Sequence, residues 1–170
     1  MIGASRPDEA VEAGKRAVIE SPVGPLGLWI GSEALHTLTF EKPGVEITDA
    51  RFHSSLMQET VRQIRAYFLD ARFRFDLPLL EAPTEFQHRL RSVLMDIEPG
   101  RVCAYGDLAR ALNSSARAVG GGCRRNPLPL IVPCHRVLAA NGIGGFSGRT
   151  SGEPMKRKRW LLNHEGGLGL

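Results

Sequence analysis

A cysteine and a histidine stand side by side in Pro133-Cys134-His135-Arg136, at the end of the apolar run Leu128-Pro129-Leu130-Ile131-Val132. If that run is a buried strand, it delivers a thiol to its end as a positioned nucleophile with an imidazole beside it. A free thiol, with a pKa of about 8.5, is only a few per cent ionised at neutral pH, so a base has to raise the thiolate fraction. Successive side chains of a regular strand point to opposite faces. His135 can therefore serve Cys134 only if the strand ends at Pro133 and the chain turns.

Three cysteines, Cys103, Cys123 and Cys134, are an odd number and argue against a disulfide framework. Their spacing with His36, His53, His88, His135 and His164 has no paired CxxC or HxxxH, so neither a metal nor a cofactor is expected. Cys103 and Cys123 read as small buried hydrophobes rather than as catalysts. A cysteine hydrolase would need an oxyanion hole and a redox thiol a resolving partner, and no motif signals either.

The elements that must position the thiol lie in the second half. A capping box, Thr84-Glu-Phe-Gln87, opens a helix with Phe86, Leu90, Val93, Leu94 and Ile97 on one face, stopped by Pro99-Gly100. Tyr105 to Leu112 reads as a short helix, and Ser114 or Ser115 can cap another through Ala116-Arg117-Ala118-Val119. Two short helices joined by a tight turn outline a helix-turn-helix. The second is built of small residues ending in Gly120-Gly121-Gly122, with Arg117 its only long side chain before that run. Such a helix either packs tightly in a core or presses against another surface, with Arg117 left to probe it. Asn141 to Gly148 reads as a flexible wall, and Pro154 opens a last helix over Met155 to His164 that ends at Gly166-Gly167. Its run Lys156-Arg157-Lys158-Arg159 reads as a solvated face.

The first half shows no chemistry. Arg16 to Glu20, Pro25 to Ile30 and Leu35 to Phe40 read as short strands, and Ser55-Leu-Met-Gln58 opens a helix with Met57, Val61, Ile64 and Phe68 on its apolar face. Phe73 to Leu77 alternates as a strand does, and residues 1–14 read as frayed. The expected division is an α/β domain over 1–78, a linker over 79–83 and a second domain over 84–170. The 170 residues carry 22 basic and 18 acidic groups, a net +4, but arginines and lysines crowd the second half. That half suits a polyanion. No apolar stretch reaches a membrane span and the N-terminus lacks the centre of a secretory signal, so a cytoplasmic protein is expected.

Together, Arg117-Ala-Val-Gly-Gly121, Arg124-Arg-Asn-Pro127, Val132-Pro-Cys-His-Arg-Val137, Gly145-Phe-Ser-Gly148 and Lys158-Arg-Trp-Leu-Leu-Asn-His-Glu-Gly166 resemble the O6-alkylguanine-DNA alkyltransferases, or methylated-DNA-protein-cysteine methyltransferases. The resemblance spans Thr84 to Gly166. In the first half it rests only on Pro25-Leu-Gly-Leu28 and Phe75-Asp-Leu-Pro78.

This resemblance implies a ribonuclease-H-like α/β N-terminal domain and a mainly α winged-helix, helix-turn-helix C-terminal domain. It implies direct-reversal repair of double-stranded DNA containing O6-alkylguanine, by a monomer that enters the minor groove and flips the damaged base. Cys134 would accept the alkyl group, His135 would deprotonate it through a water, and Glu165 would orient His135. Asn126 would brace the active-site turn, and Tyr105 would help rotate the nucleotide and donate a proton to the leaving guanine. Arg117 would fill the vacated stack, with Ala116, Ala118 and Gly120 on the DNA-facing side of its helix. Val137, Phe146, Ser147 and Gly148 would line the guanine pocket.

The chemistry is consistent with that reading. Attack on an O-alkyl carbon needs a thiolate, and the thioether formed has no carbonyl for water to attack, so the protein acts once per molecule. Three departures stand out. Arg91 replaces a usual tryptophan, the Tyr105–Arg117 segment is short, and Arg149 to Pro154 is extra. The rivals are a non-catalytic relative that binds the lesion, which Cys134 argues against, and a helix-turn-helix regulator, which leaves Pro133-Cys134-His135 and Glu165 unexplained.

Overall fold

Short apolar runs broken by Pro-Gly turns fold into a three-stranded antiparallel sheet of order β1-β2-β3. Its strands are β1 (Lys15–Ile19), β2 (Leu26–Ile30) and β3 (Leu35–Phe40). The structure is a computed structural model that describes residues 15–48 and 54–167, so the expected frayed segment 1–14 lies outside the described residues. The chain divides into two compact units, Met1–Leu80 and Glu81–Leu170.

In the first unit Ala17 pairs with Leu28, which pairs with Leu38, and all three are buried. Helix α1 (Ser55–Leu69) is capped by Ser54, one residue earlier than the sequence pattern implied, with its side chain accepting from Met57 N–H. Met57, Val61 and Ile64 are buried as expected, while Tyr67 is fully buried and the neighbouring Phe68 only half so. The alternation over Phe73–Leu77 does not make a strand. Gln63 takes the place of a neighbouring strand there, its Nε2 donating to Asp76 O and its Oε1 accepting from Asp76 N–H, both at 2.8 Å. Leu79, expected to begin a linker, bridges Leu35 in parallel, and Leu80 N–H donates to Leu35 O at 2.8 Å.

The second unit holds the elements named by the motifs. Helix α2 (Glu85–Met95) is capped by Thr84, whose Oγ1 accepts from Gln87 N–H at 3.1 Å. Leu90 and Leu94 are its fully buried positions. Arg91 is half-buried on the same helix, and burial pushes its guanidinium down while Glu81 opposes the shift. Then come β4 (Cys103–Ala104), α3 (Tyr105–Ala111), α4 (Ala116–Arg124), a 3₁₀ turn over Cys134–Arg136, β5 (Val137–Leu138) and α5 (Glu153–Glu165). β4 and β5 pair in parallel, Cys103 opposite Val137.

The helix-turn-helix consists of α3 and α4. Asn113 turns the chain with a φ of 51°, which Asn tolerates better than most residues. Ser115 rather than Ser114 caps α4, accepting from Ala118 N–H at 3.1 Å. The small residues of α4 serve both sides of the helix. A Cβ on Gly122 would sit 2.4 Å from Leu90 Cδ2, so that side packs closely on α2, whereas a Cβ on Gly120 would meet nothing within 4 Å. Close packing and an open face therefore coexist on one helix.

Helix α5 begins at Glu153, two residues before the expected Met155, with Pro154 in its first turn, and is closed by Gly166 at a φ of 77°. Its buried positions are Met155, Lys158, Leu161 and Leu162. One member of the basic run is thus not solvated: Lys158 is fully buried. No described helix is long and apolar enough to cross a membrane.

Candidate active site

The path into the reactive residues is a buried loop, not the expected strand. Pro127, Pro129 and Pro133 have no N–H to give a ladder, and Leu130 adopts a φ of 75°. Leu128, Leu130, Ile131 and Val132 are nonetheless buried, so apolarity reflected burial without a strand. Asn126 ties the loop together: its Nδ2 donates to Val132 O at 2.9 Å and its Oδ1 accepts from Leu128 N–H at 3.0 Å. One side chain therefore meets two backbone groups that a sheet would otherwise have satisfied.

Pro133, with φ −81° and ψ 64°, makes an inverse γ-turn in which Cys134 N–H donates to Val132 O at 2.8 Å. The chain then enters the 3₁₀ turn, so Cys134 and His135 are not held to opposite faces of a strand. Cys134 lines a cavity of about 320 Å³ and is only 6% exposed. His135 is fully buried, with Nε2 2.8 Å from Glu165 Oε1. Its Nδ1 is buried with no protein hydrogen-bond partner among the described residues.

Glu165 determines the state of that imidazole. Burial alone would raise its carboxyl, but hydrogen bonds from His135 and Arg136 and their charges hold it at about 2. An ionised carboxylate can only accept, so Nε2 carries the proton and donates to it. Nδ1 then carries the lone pair. Burial pushes His135 below its ordinary value against the pull of Glu165, which favours a neutral imidazole able to take a proton.

Arg136, to which the sequence assigned no role, grips Glu165 with a fork. Its Nε donates to Oε2 at 3.0 Å and its Nη2 to Oε1 at 2.9 Å, while Nη1 donates to Ile97 O. The 3₁₀ turn, the end of α5 and the segment after α2 are thereby joined. Burial pushes the Cys134 thiol up, and a hydrogen bond with Asn126 and the charge of Lys158 oppose that shift. Lys158 Nζ donates to Val137 O at 2.7 Å and to Gly145 O at 2.9 Å, and burial lowers it to about 8. It remains mostly protonated at neutral pH, so a cation lies under the cavity wall.

Tyr105, Gly120, Phe146, Ser147 and Gly148 line the same cavity as Cys134. Phe146 and Arg149 exchange backbone hydrogen bonds of 2.8 and 2.9 Å across Ser147 and Gly148, whose φ values of 50° and 74° define a type I′ turn. Burial, then the charges of Cys123 and Cys134, raise the Tyr105 phenol to about 12, so it stays a proton donor. Val137 departs from expectation. Its side chain is fully buried and its carbonyl receives Lys158, so it supports the wall from behind rather than lining the cavity. Ala116, Arg117 and Ala118 do not line it either. They lie on the first turn of α4, and Arg117 is exposed with no side-chain partner among the described residues.

Arg136 and Lys158 were missed. The signal for Lys158 was its place in the series Met155, Lys158, Leu161, Leu162, Glu165, which follows the spacing of one helix face. Arg136 gave only its adjacency to His135. Cys123, which the sequence reads as a small buried hydrophobe, and Arg124, which opens the motif Arg124-Arg-Asn-Pro127 without an assigned role, are also on the cavity wall.

Residues 85–167 match the family described as 6-O-methylguanine DNA methyltransferase, DNA binding domain. A methylated-DNA–protein-cysteine methyltransferase of Methanosarcina acetivorans is 37% identical over 155 residues, covering 88% of this chain and 97% of that protein. The chain belongs to the methylated-DNA–protein-cysteine methyltransferase family. A methyltransferase of this family from Metallosphaera sedula is 36% identical over 87% of this chain and 90% of its own length. In three dimensions, the O6-methylguanine methyltransferase of Mycobacterium tuberculosis superposes with a TM-score of 0.74 at 32% identity, covering 89% of this chain and 92% of that one. The Mycobacterium tuberculosis protein in complex with DNA gives 0.71 at 34% identity, covering 88% and 92%. This alkyltransferase therefore joins an α/β domain to a winged helix-turn-helix that binds DNA, and its reaction is alkyl transfer to a cysteine of its own.

Proposed function

We propose that Cys134 is the acceptor in direct reversal of O6-alkylguanine in double-stranded DNA, each molecule acting once. The observation that carries this reading is a cavity-lining thiol followed in sequence by an imidazole whose Nε2 is held by an ionised Glu165 and whose Nδ1 has no protein partner. A water between Nδ1 and Sγ passes the thiol proton to His135. The thiolate attacks the alkyl carbon, the S–C bond forms as the C–O6 bond breaks, and the electron pair returns to guanine. Tyr105 gives guanine a proton and is reprotonated from the imidazolium through solvent, leaving a thioether.

Reaching O6 requires extrusion of the base, at a cost of a few kcal/mol, offset by contacts in the pocket and by a side chain in the emptied stack. Arg117 supplies that side chain. It sits beside Ala116 and Ala118 on the same helix whose open Gly120 reaches the cavity. Phe146, Ser147 and Gly148 receive the guanine, Val137 supports them, and Asn126 keeps the loop of Cys134 in place. The protein works as a monomer in the cytoplasm, where its free thiols Cys103, Cys123 and Cys134 stay reduced. Cys134→Ala tests the assignment: it should retain binding to a duplex with one O6-methylguanine while removing no methyl group. Methyl removal by that variant would overturn it.

A further inference from the structure

Every charged side chain among the residues lining the cavity is an arginine, Arg124 or Arg149, and no aspartate or glutamate lines it. Arg124 is tied to the wall itself: a Cβ on Gly148 would lie 2.8 Å from its Nε and 3.3 Å from its Cγ and Cδ, so its side chain runs across the Ser147–Gly148 turn. Neither guanidinium has an acidic partner among the described residues, although other surface cations do, such as Lys156 with Glu153 at 2.8 Å. The remaining polar side chains on the wall, from Tyr105, Ser147 and Thr150, are hydroxyls able to donate. Beneath the wall, Lys158 adds a further positive charge.

We propose that this cavity favours O6-alkyl groups that end in a negative charge, with Arg124 and Arg149 as the specificity-determining residues. The inference rests on the repair reading above and names the substrate class of that same site. An arginine fork meets a carboxylate with charge-assisted hydrogen bonds that a neutral group of the same shape does not return as strongly. For a carboxymethyl adduct the step is unchanged. The Cys134 thiolate attacks the methylene carbon and the C–O6 bond breaks. Guanine regains its electron pair and a proton, and the carboxylate stays on the new thioether. Arg149 follows the Ser147–Gly148 turn and lines the same cavity as Cys134, so any preference it sets acts at the reacting group.

Two duplexes of one sequence form the test, one with a single O6-carboxymethylguanine and the other with its isosteric neutral amide, O6-carbamoylmethylguanine. Single-turnover rates on both are measured for the parent protein and for Arg124→Gln/Arg149→Gln, which keeps the stem that crosses Gly148 as far as the Nε position and removes the guanidinium charge. The acid-to-amide rate ratio should fall about tenfold in the double variant, the worth of one charge-assisted hydrogen bond. Arg124→Lys/Arg149→Lys keeps the charge without the fork and should lose only part of the ratio, so a loss there as large as in the glutamine variant counts against the proposal. If the two arginines instead hold DNA phosphates, both rates fall by one factor and the ratio stands, which overturns it. Failure of the parent protein to take up either group while it still demethylates O6-methylguanine in the same duplex would overturn the proposal alone; failure on O6-methylguanine too would overturn the repair reading.

Discussion

His135 can help Cys134 only while its ring is neutral, and the two groups flanking it push in opposite directions. Burial favours the neutral form and Glu165 the charged one, so acidification should switch off transfer as the ring takes up its proton. His135→Ala is expected to slow alkylation by ~10²- to ~10⁴-fold, the usual worth of general-base assistance. Stopped reactions on lesion-bearing duplex would measure this, and a rate with unchanged pH dependence would remove His135 from the mechanism. Glu165→Gln should also slow the reaction, but it strips Arg136 of a buried counter-charge at 2.9 Å. Breaking such a pair costs roughly 3–5 kcal/mol, so this variant should lose thermal stability as well as rate. Arg136→Lys keeps the charge without the fork. It is expected to give a smaller rate loss, with an altered pH-rate profile marking a positioning role.

The two faces of α4 make separable predictions at the level of the element. Gly122→Ala forces a Cβ against Leu90 and should cost about 1–3 kcal/mol of stability, whereas Gly120→Ala meets open space and should stabilise the helix by up to ~1 kcal/mol. Denaturant melts distinguish them; equal effects would mean that α4 is not packed as described. Arg117→Ala should lose most activity on alkylated duplex yet still take the benzyl group from free O6-benzylguanine near the parent rate, since the free base needs no flipping. Comparable losses on both would assign Arg117 to the fold. The helices around the site were legible in the sequence because their caps, Thr84 and Ser115, announce them. The loop into Cys134 was not, because a buried run of Leu, Ile and Val reads alike in a strand or a loop. Its three prolines were the discriminating signal. Gln63 hid the fate of Phe73–Leu77 in the same way, as a side chain satisfying backbone groups leaves no periodicity behind. Lys158 was lost among its charged neighbours although its helical spacing gave it away.

For the whole molecule, the basic second half and the lack of evident base-reading side chains imply affinity that comes mainly from phosphates. Binding to undamaged duplex should weaken steeply with salt, with a slope of about −0.9 per phosphate contact and little dependence on sequence. A strong preference for one undamaged sequence would favour a regulator instead. Stability should decline on the acid side in two stages. The folded pKa of His135 lies below its free value, so the unfolded chain binds more protons and stability falls as pH drops below about 6.5. Glu165, depressed from 4.5 to about 2, contributes stability above 4.5 that is lost as pH falls towards 2. Urea melts across that range would check both.

The sulfur of Cys134 takes the alkyl group and keeps it. An excess of duplex carrying one O6-methylguanine, followed by intact mass and peptide mapping, should find one methyl group per protein molecule, on Cys134, with Cys103 and Cys123 unmodified. Methyl on another residue, or repeated turnover that leaves Cys134 unmodified, would contradict it.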